Sequence, residues 1–221
     1  MNIDLILDLM QQEYGPRRWQ PAQDPVSELI FTILSQNTSD TNSKRAYKSL
    51  VDKFSDWETV AVAGADQIAR SIKTGGLAEV KARRIKHILE EINKRRGYLD
   101  LGFLGELPLY EAKSWLRQLP GVGPKTAACV LLFSLGRPSL PVDTHVFRVA
   151  NRLGLIDSKT SPERAHDLLE AMIPSEDVYR FHVYMVEHGR RVCKSQRPRC
   201  SLCVLRETCH FYREDNLKCQ K

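Results

Sequence analysis

Apolar positions along the chain recur at spacings of three and four and rarely at two, a pattern that predicts helices and leaves strand signals almost absent. Asp24-Pro25 offers an N-cap followed by a proline at the first helical position, and an apolar run continues from it to Leu34. Ser55-Asp56-Trp57-Glu58 has capping-box spacing with Ser55 as the cap, and Ser161-Pro162-Glu163 opens another helix. Further helical stretches are predicted over 42–54, 79–96, 110–119, 124–135, 142–153 and 176–189. About ten helices with short connections predict an all-α fold. The chain has no internal repeat, no low-complexity segment and no long linker, so two lobes, if formed, are expected to pack closely.

Composition narrows this picture. With 221 residues, the chain suits one compact body or two small lobes. Hydrophobic residues at 42% and charged residues at 27% are ordinary for a globular protein and exclude a disordered one. No apolar run reaches the roughly 20 residues of a membrane helix. The start, Met1 to Asp8, sets acids inside its apolar stretch and has no basic lead, so it does not read as a signal peptide. An intracellular location is expected, cytoplasmic in a prokaryote. A net charge of +6 is compatible with a polyanionic partner without identifying one.

Between two predicted helices lies Leu119-Pro120-Gly121-Val122-Gly123-Pro124-Lys125-Thr126. Gly121 and Gly123 permit a tight hairpin whose backbone can approach another molecule, and Pro124 suits the first turn of the next helix. Amides at that helix start favour a phosphate, a grip on nucleic acid without sequence reading. A plain turn between packed helices fits the same residues. Lys125 stands in the first turn, where the positive dipole end disfavours an ammonium and favours a neutral, nucleophilic amine. Eighteen residues on, Pro141-Val142-Asp143-Thr144-His145 supplies a carboxylate at a helix start. Asp143 reads equally as a helix cap.

Six cysteines in a chain without secretory features argue against a disulfide framework. Four of them, Cys193, Cys200, Cys203 and Cys209, follow the spacing Cys-x6-Cys-x2-Cys-x5-Cys, which reads as metal binding. By ligand type, zinc and an iron–sulfur cluster suit them equally, although only Cys200 and Cys203 form the short knuckle a zinc site usually doubles. Lys194, Arg197 and Arg199 lie in the loop between the first two cysteines, facing phosphates or only water. Cys129, in an apolar run, reads as a core residue and Cys219 as part of a polar tail. The histidines show no ligand spacing, and His145 reads as a scaffold residue.

The stretch from Leu119 to Arg152, LPGVGPKTAACVLLFSLGRPSLPVDTHVFRVANR, closely resembles the helix-hairpin-helix and Gly/Pro-Asp segment of the endonuclease III superfamily of DNA glycosylases. The resemblance extends from about Asp24 to Cys209, including the cysteine spacing, which in that family holds a [4Fe–4S] cluster. It implies a six-helix barrel lobe over 22–135, and a second, discontinuous lobe from 1–21 and 136–221 carrying the cluster loop 193–209, with a DNA cleft between them. It implies that Lys125 attacks C1′ of a flipped nucleotide with help from Asp143. The lysine further implies a lyase step beyond base removal. The implied partner is double-stranded DNA containing a damaged base, bound by a monomer.

Extruding a base leaves a gap to be filled. Ile33 to Asp40 resembles the family segment that inserts a polar side chain, usually Gln; here Asn37 takes that place and Gln36 precedes it, so both are candidates. Gly75-Gly76-Leu77 resembles the second wedge, with Leu77 against the opposite strand, but Ala78 stands where the family usually has Tyr. Lys81, Arg83, Arg84 and Lys86 make the following helix basic, for phosphates or for water. The expected activity is a bifunctional glycosylase/lyase for oxidised pyrimidines. The alternatives are the same scaffold acting on uracil, thymine or mismatched adenine, a non-catalytic DNA-binding module, and a zinc-stabilised interaction domain.

Overall fold

The structure, a computed structural model, describes residues 2–213; Cys219 lies outside them. Among the described residues there is no strand. The helices are α1 (Ile3–Tyr14), α2 (Pro25–Ser35), α3 (Asp40–Lys53), α4 (Trp57–Val62), α5 (Ala65–Ser71), α6 (Ala78–Arg96), α7 (Leu109–Arg117), α8 (Pro124–Cys129), α9 (Thr144–Leu153), α10 (Pro162–Met172) and α11 (Val178–Arg191). No helix of these is long and apolar enough to cross a membrane. The chain divides into two units, Pro21–Arg137 and the pair of segments Met1–Gln20 and Pro138–Lys221.

In the unit Pro21–Arg137, Asp24 caps α2 by accepting from the Val26 and Ser27 amides at 3.0 Å, with Pro25 at the first position. The apolar residues of that helix, Leu29, Ile30, Ile33 and Leu34, are fully buried. They meet α6, whose inward face is Ile85, Ile88, Leu89 and Ile92, the three-and-four spacing of an amphipathic helix. Helix α6 stops at Gly97, left-handed at φ +80°, with Lys94, Arg95 and Arg96 complementing its dipole.

Three local readings are corrected. Asp56, not Ser55, caps α4: its carboxylate accepts from the Thr59 amide at 2.7 Å while the Ser55 hydroxyl donates to it. A carboxylate outcompetes a hydroxyl for an amide at a dipole's positive end. Helix α3 begins two residues before the expected start because Ser39 supplies a cap. The continuous helix expected over 124–135 is α-helical only to Cys129, after which Val130–Ser134 widens into a π-helical turn.

In the second unit, α9 and α11 pack together at Gly189, where a Cβ would stand 2.9 Å from the His145 Cβ. Helix α1 joins α11 through polar contacts: Tyr14 Oη lies 2.7 Å from His188 Nδ1, the Tyr184 hydroxyl donates to the Gly15 carbonyl at 2.8 Å, and Arg17 pairs with Glu187 at 2.7 Å. Burial pushes the pKa of His188 down to about 4, so its imidazole is neutral.

Glu28 is a buried carboxyl group in α2 that accepts from Gln23 Nε2 and the Thr32 hydroxyl. Burial raises its pKa, against the opposing pull of those hydrogen bonds and of the Lys125 charge. A raised native pKa means stability is full below the ordinary carboxylate range and is lost as pH rises through the native pKa. Glu28→Gln is therefore expected to raise the melting temperature at pH 7–8, with the gain disappearing in scans near pH 4.

Candidate functional site

The hairpin forms because α7 ends in a tight turn, with Leu119 and Val122 amides donating to the Leu116 and Leu119 carbonyls at 3.0 and 3.2 Å. Gly121 follows in the left-handed region at φ +74°, and a Cβ there would stand 2.3 Å from Arg84 Nε. Gly123, the residue before α8, faces open space, so no internal packing requires it to be glycine. Both glycines are exposed, while Lys125, one residue into α8, is partly buried. No side chain caps this helix start.

Asp143 is the N-cap of α9, as one reading of the sequence had it. A single oxygen, Oδ1, accepts from both the His145 and Val146 amides at 2.8 Å. The segment before it is pinned along its length. Glu170 accepts from the Leu140 amide at 2.8 Å, His166 meets the Leu140 carbonyl at 3.1 Å, and His182 meets the Pro141 carbonyl at 2.8 Å. Capping uses one carboxylate oxygen only, so it does not compete with a chemical role for Oδ2.

Gln36 and Asn37 are now distinguishable. The Gln36 amide donates to the Gly121 carbonyl at 3.3 Å and its Oε1 accepts from Arg84 at 2.6 Å, tying it to the hairpin. Asn37 is exposed and left-handed at φ +52°. Leu77 is 57% exposed and left-handed at φ +50°, a strained setting for a leucine, and its carbonyl accepts from the Lys81 amide at 2.9 Å.

The basic stretch at the start of α6, read from sequence as facing phosphates or water, turns largely inward. Lys81 is buried, its ammonium donating to Leu34 and Gly75 carbonyls. Arg84 serves Gln36, and Lys86 donates to the Ala61 and Ala63 carbonyls at 2.9 and 3.0 Å. Arg83 alone of the four is exposed. The sequence hid this because a lysine near a helix start reads as a solvated charge.

Cys193, Cys200, Cys203 and Cys209 line one cavity, together with Arg152 and His188. Among the described residues no group of three or more His, Cys, Asp or Glu is gathered so as to hold a single metal ion. Burial, with the neighbouring thiols adding to it, pushes the Cys203 thiol up to about 11 and raises that of Cys209. Four cysteine sulfurs lining one cavity are the donor set that an iron–sulfur core takes, the charge of its iron offsetting that of the thiolates. The donor set therefore fits the cluster.

Sequence reasoning did not single out the residues that support this loop, although Arg148 and Arg152 sit four apart on one face of α9. Arg148 donates to the Cys193 and Gly189 carbonyls at 3.0 and 2.9 Å. Arg152 donates to the Lys194 and Ser195 carbonyls at 2.7 and 3.0 Å and approaches Cys193 Sγ at 3.4 Å. His188 Nε2 stands 3.4 Å from Cys203 Sγ, completing a line from Tyr14 to the cysteines. With its backbone so held, the loop exposes Lys194, Arg197 and Arg199; Arg197 is left-handed at φ +49°.

Residues 30–175 match the family model of the HhH-GPD superfamily base excision DNA repair proteins. The chain is 38% identical to endonuclease III of Thermotoga maritima over 190 residues, 86% of this chain and 84% of the relative. It is 34% identical to endonuclease III of Sulfolobus acidocaldarius over 192 residues, 86% and 83% of the two chains. A solved structure of a trapped endonuclease III–DNA covalent intermediate superimposes with a TM-score of 0.83 at 29% identity, covering 97% of each chain.

Gly121→Ala is expected to place a methyl group where Arg84 now lies and to displace that flexible side chain from Gln36. Left-handed backbone alone costs alanine about 1–2 kcal/mol. A lower melting temperature, with intact far-UV circular dichroism, would show it; an unchanged one would mean that the hairpin is not held this way.

Proposed function

From the premise that the chain belongs to the HhH-GPD superfamily of base excision DNA repair proteins, we propose that Lys125 is its nucleophile and Asp143 the carboxylate that assists it. The protein is a base-excision DNA glycosylase and lyase that acts on damaged bases in DNA, as its endonuclease III homologues indicate. The observation that carries the assignment is a lysine in the first turn of α8, directly after a hairpin whose Gly123 opens onto empty space. An extruded sugar reaching that hairpin would meet this amine.

In this reading the Lys125 amine attacks C1′ and the N-glycosidic bond breaks, the base leaving with a proton. Positive charge builds on the sugar, and the Asp143 carboxylate stabilises it and takes the proton from the amine. The C1′–O4′ bond then opens, O4′ taking the proton that Asp143 removed, which leaves an iminium at C1′; this acidifies the C2′ hydrogen, whose loss expels the 3′ phosphate by β-elimination. Water then hydrolyses the imine and regenerates Lys125. A water nucleophile performs only the first step, so Lys125 is what makes the protein a lyase.

Gly121 and Gly123 would grip the DNA backbone, and Lys194, Arg197 and Arg199 would add phosphate contacts from the cysteine loop. Cys193, Cys200, Cys203 and Cys209 would hold a [4Fe–4S] cluster, whose contribution when bound is to fix that loop. Asn37 is preferred over Gln36 as the residue that enters the vacated stack, because Gln36 is engaged with Gly121 and Arg84. The lesions are proposed to be oxidised pyrimidines. Ala78 after Leu77 favours a second reading, uracil, thymine or mismatched adenine on the same scaffold, because it changes the contact to the opposite strand. The protein is proposed to act as an intracellular monomer.

Borohydride added during incubation with lesion DNA is expected to trap a covalent complex, and Lys125→Gln to abolish it while DNA affinity stays within a few-fold. No adduct from the wild type with any abasic duplex would reject the nucleophile. Asp143→Asn is expected to slow base excision by about 10²-fold or more; near-normal turnover would reduce Asp143 to a helix cap. Purified protein is expected to be brown, with iron and acid-labile sulfide in equal amounts and the colour lost in Cys203→Ser. A colourless, zinc-containing protein would reject the cluster.

A further inference from the structure

Lysine side chains are seldom buried without a purpose, because desolvating an ammonium is costly unless each of its hydrogens finds an acceptor. Lys81 is 2% exposed and lies in the first turn of α6, where the helix dipole adds a further penalty. Its ammonium has three N–H groups and meets three oxygens: the Leu34 carbonyl at 2.7 Å, the Thr38 hydroxyl at 2.5 Å and the Gly75 carbonyl at 3.0 Å. Leu34 belongs to the last turn of α2, whose carbonyls lack helical partners, and Gly75 to the turn before α6. The Thr38 hydroxyl also approaches the Gly75 carbonyl at 2.6 Å, which closes a ring of hydrogen bonds between the two loops.

These loops carry Asn37 and Leu77, two exposed non-glycine residues with left-handed backbone. Each is a non-glycine residue in a sparsely populated region, a conformation that persists only where the surroundings over-determine it. Asn37 is the neighbour of Thr38, and Leu77 lies between Gly75, whose carbonyl binds the Lys81 ammonium, and Lys81 itself, whose amide binds the Leu77 carbonyl. The Thr38 hydroxyl is the second bridge between the loops, and Lys81 binds it as well as the Leu34 and Gly75 carbonyls; Arg84 reaches Gln36 on the first loop.

We propose that Lys81 is a positioning residue that clamps the 35–40 and 73–77 loops at a fixed separation, so that Asn37 and Leu77 enter the duplex as one unit when the lesion is extruded. This rests on the glycosylase reading and on the role given there to Asn37 and Leu77. Lys81 itself does not touch DNA, being enclosed. Its effect falls on extrusion, and a base that is already unpaired does not need it.

The test compares single-turnover excision of one lesion in a fully paired duplex and in a duplex where the lesion sits in a small unpaired bubble. Lys81→Met removes all three donors and is expected to slow the paired substrate by ~10–100-fold, the range set by displacing a positioned group about 1 Å. The bubble substrate is expected to stay within about twofold of wild type. Lys81→Arg is expected not to rescue, since a planar guanidinium cannot point three donors at one compact set of oxygens. Thr38→Val, which breaks the ring without emptying the ammonium's site, is expected to give the same selective loss in milder form, and it decides the matter if Lys81→Met does not fold. Equal losses on both substrates, no loss on either, or recovery in Lys81→Arg would overturn the clamp. A wild type inactive on both substrates would instead reject the glycosylase reading.

Discussion

Helices end in carbonyls that no helical amide reaches, and a protein made of short helices has many such ends. In this chain, long basic side chains supply much of what those ends lack. Lys81 serves Leu34 and Gly75, Lys86 serves Ala61 and Ala63, and Arg137 serves Leu104 and Gly105. In the other unit Arg148 and Arg152 serve Gly189, Cys193, Lys194 and Ser195. A charge-assisted hydrogen bond is roughly twice as strong as a neutral one, and a flexible stem lets one cation gather carbonyls from two segments. Loops without regular structure are thereby held nearly as firmly as the helices they join.

The consequence for the site is that its exposed residues stand on rigid supports. The three non-glycine residues with positive φ among the described residues are Asn37, Leu77 and Arg197. All three lie in loops fixed by such cations, and all three were singled out as DNA-contacting residues on other grounds. Strain of this kind survives only where neighbours enforce it. Here the enforcing groups are Lys81 for the first two and the Arg148–Arg152 pair for the third.

Much of this architecture was legible in the sequence, for physical reasons that can be named. Helix starts at Asp24 and Ser161 were readable because a short polar side chain before proline has few other uses. The Leu119–Thr126 hairpin was readable because Gly121 needs φ +74° and Pro124 suits a first turn. The cysteine loop was readable from spacing, since all four thiols line one cavity. What stayed hidden was tertiary. Nothing local says that Lys81 turns inward while Arg83 turns outward, or that Asp56 displaces Ser55 as a cap. The π turn after Cys129 has no composition signal at all, because Val130 to Leu132 would suit a regular helix equally well. That Gln36 is tied to Arg84 and Gly121 while Asn37 is exposed was invisible for the same reason, since both partners of Gln36 are distant in sequence.

The burial of Lys81 and the engagement of Arg84, Lys86, Arg148 and Arg152 also bear on ionic strength. DNA binding weakens with salt in proportion to the number of phosphates that protein cations neutralise, because each contact frees condensed counterions. Cations committed to loop carbonyls contribute nothing to that count. The excess of 33 lysines and arginines over 27 acids therefore overstates the electrostatic hold on DNA. Outward-facing side chains such as Arg83, Lys194, Arg197 and Arg199 remain available to phosphates, so the salt sensitivity of binding is expected to be shallower than the charge of the chain suggests.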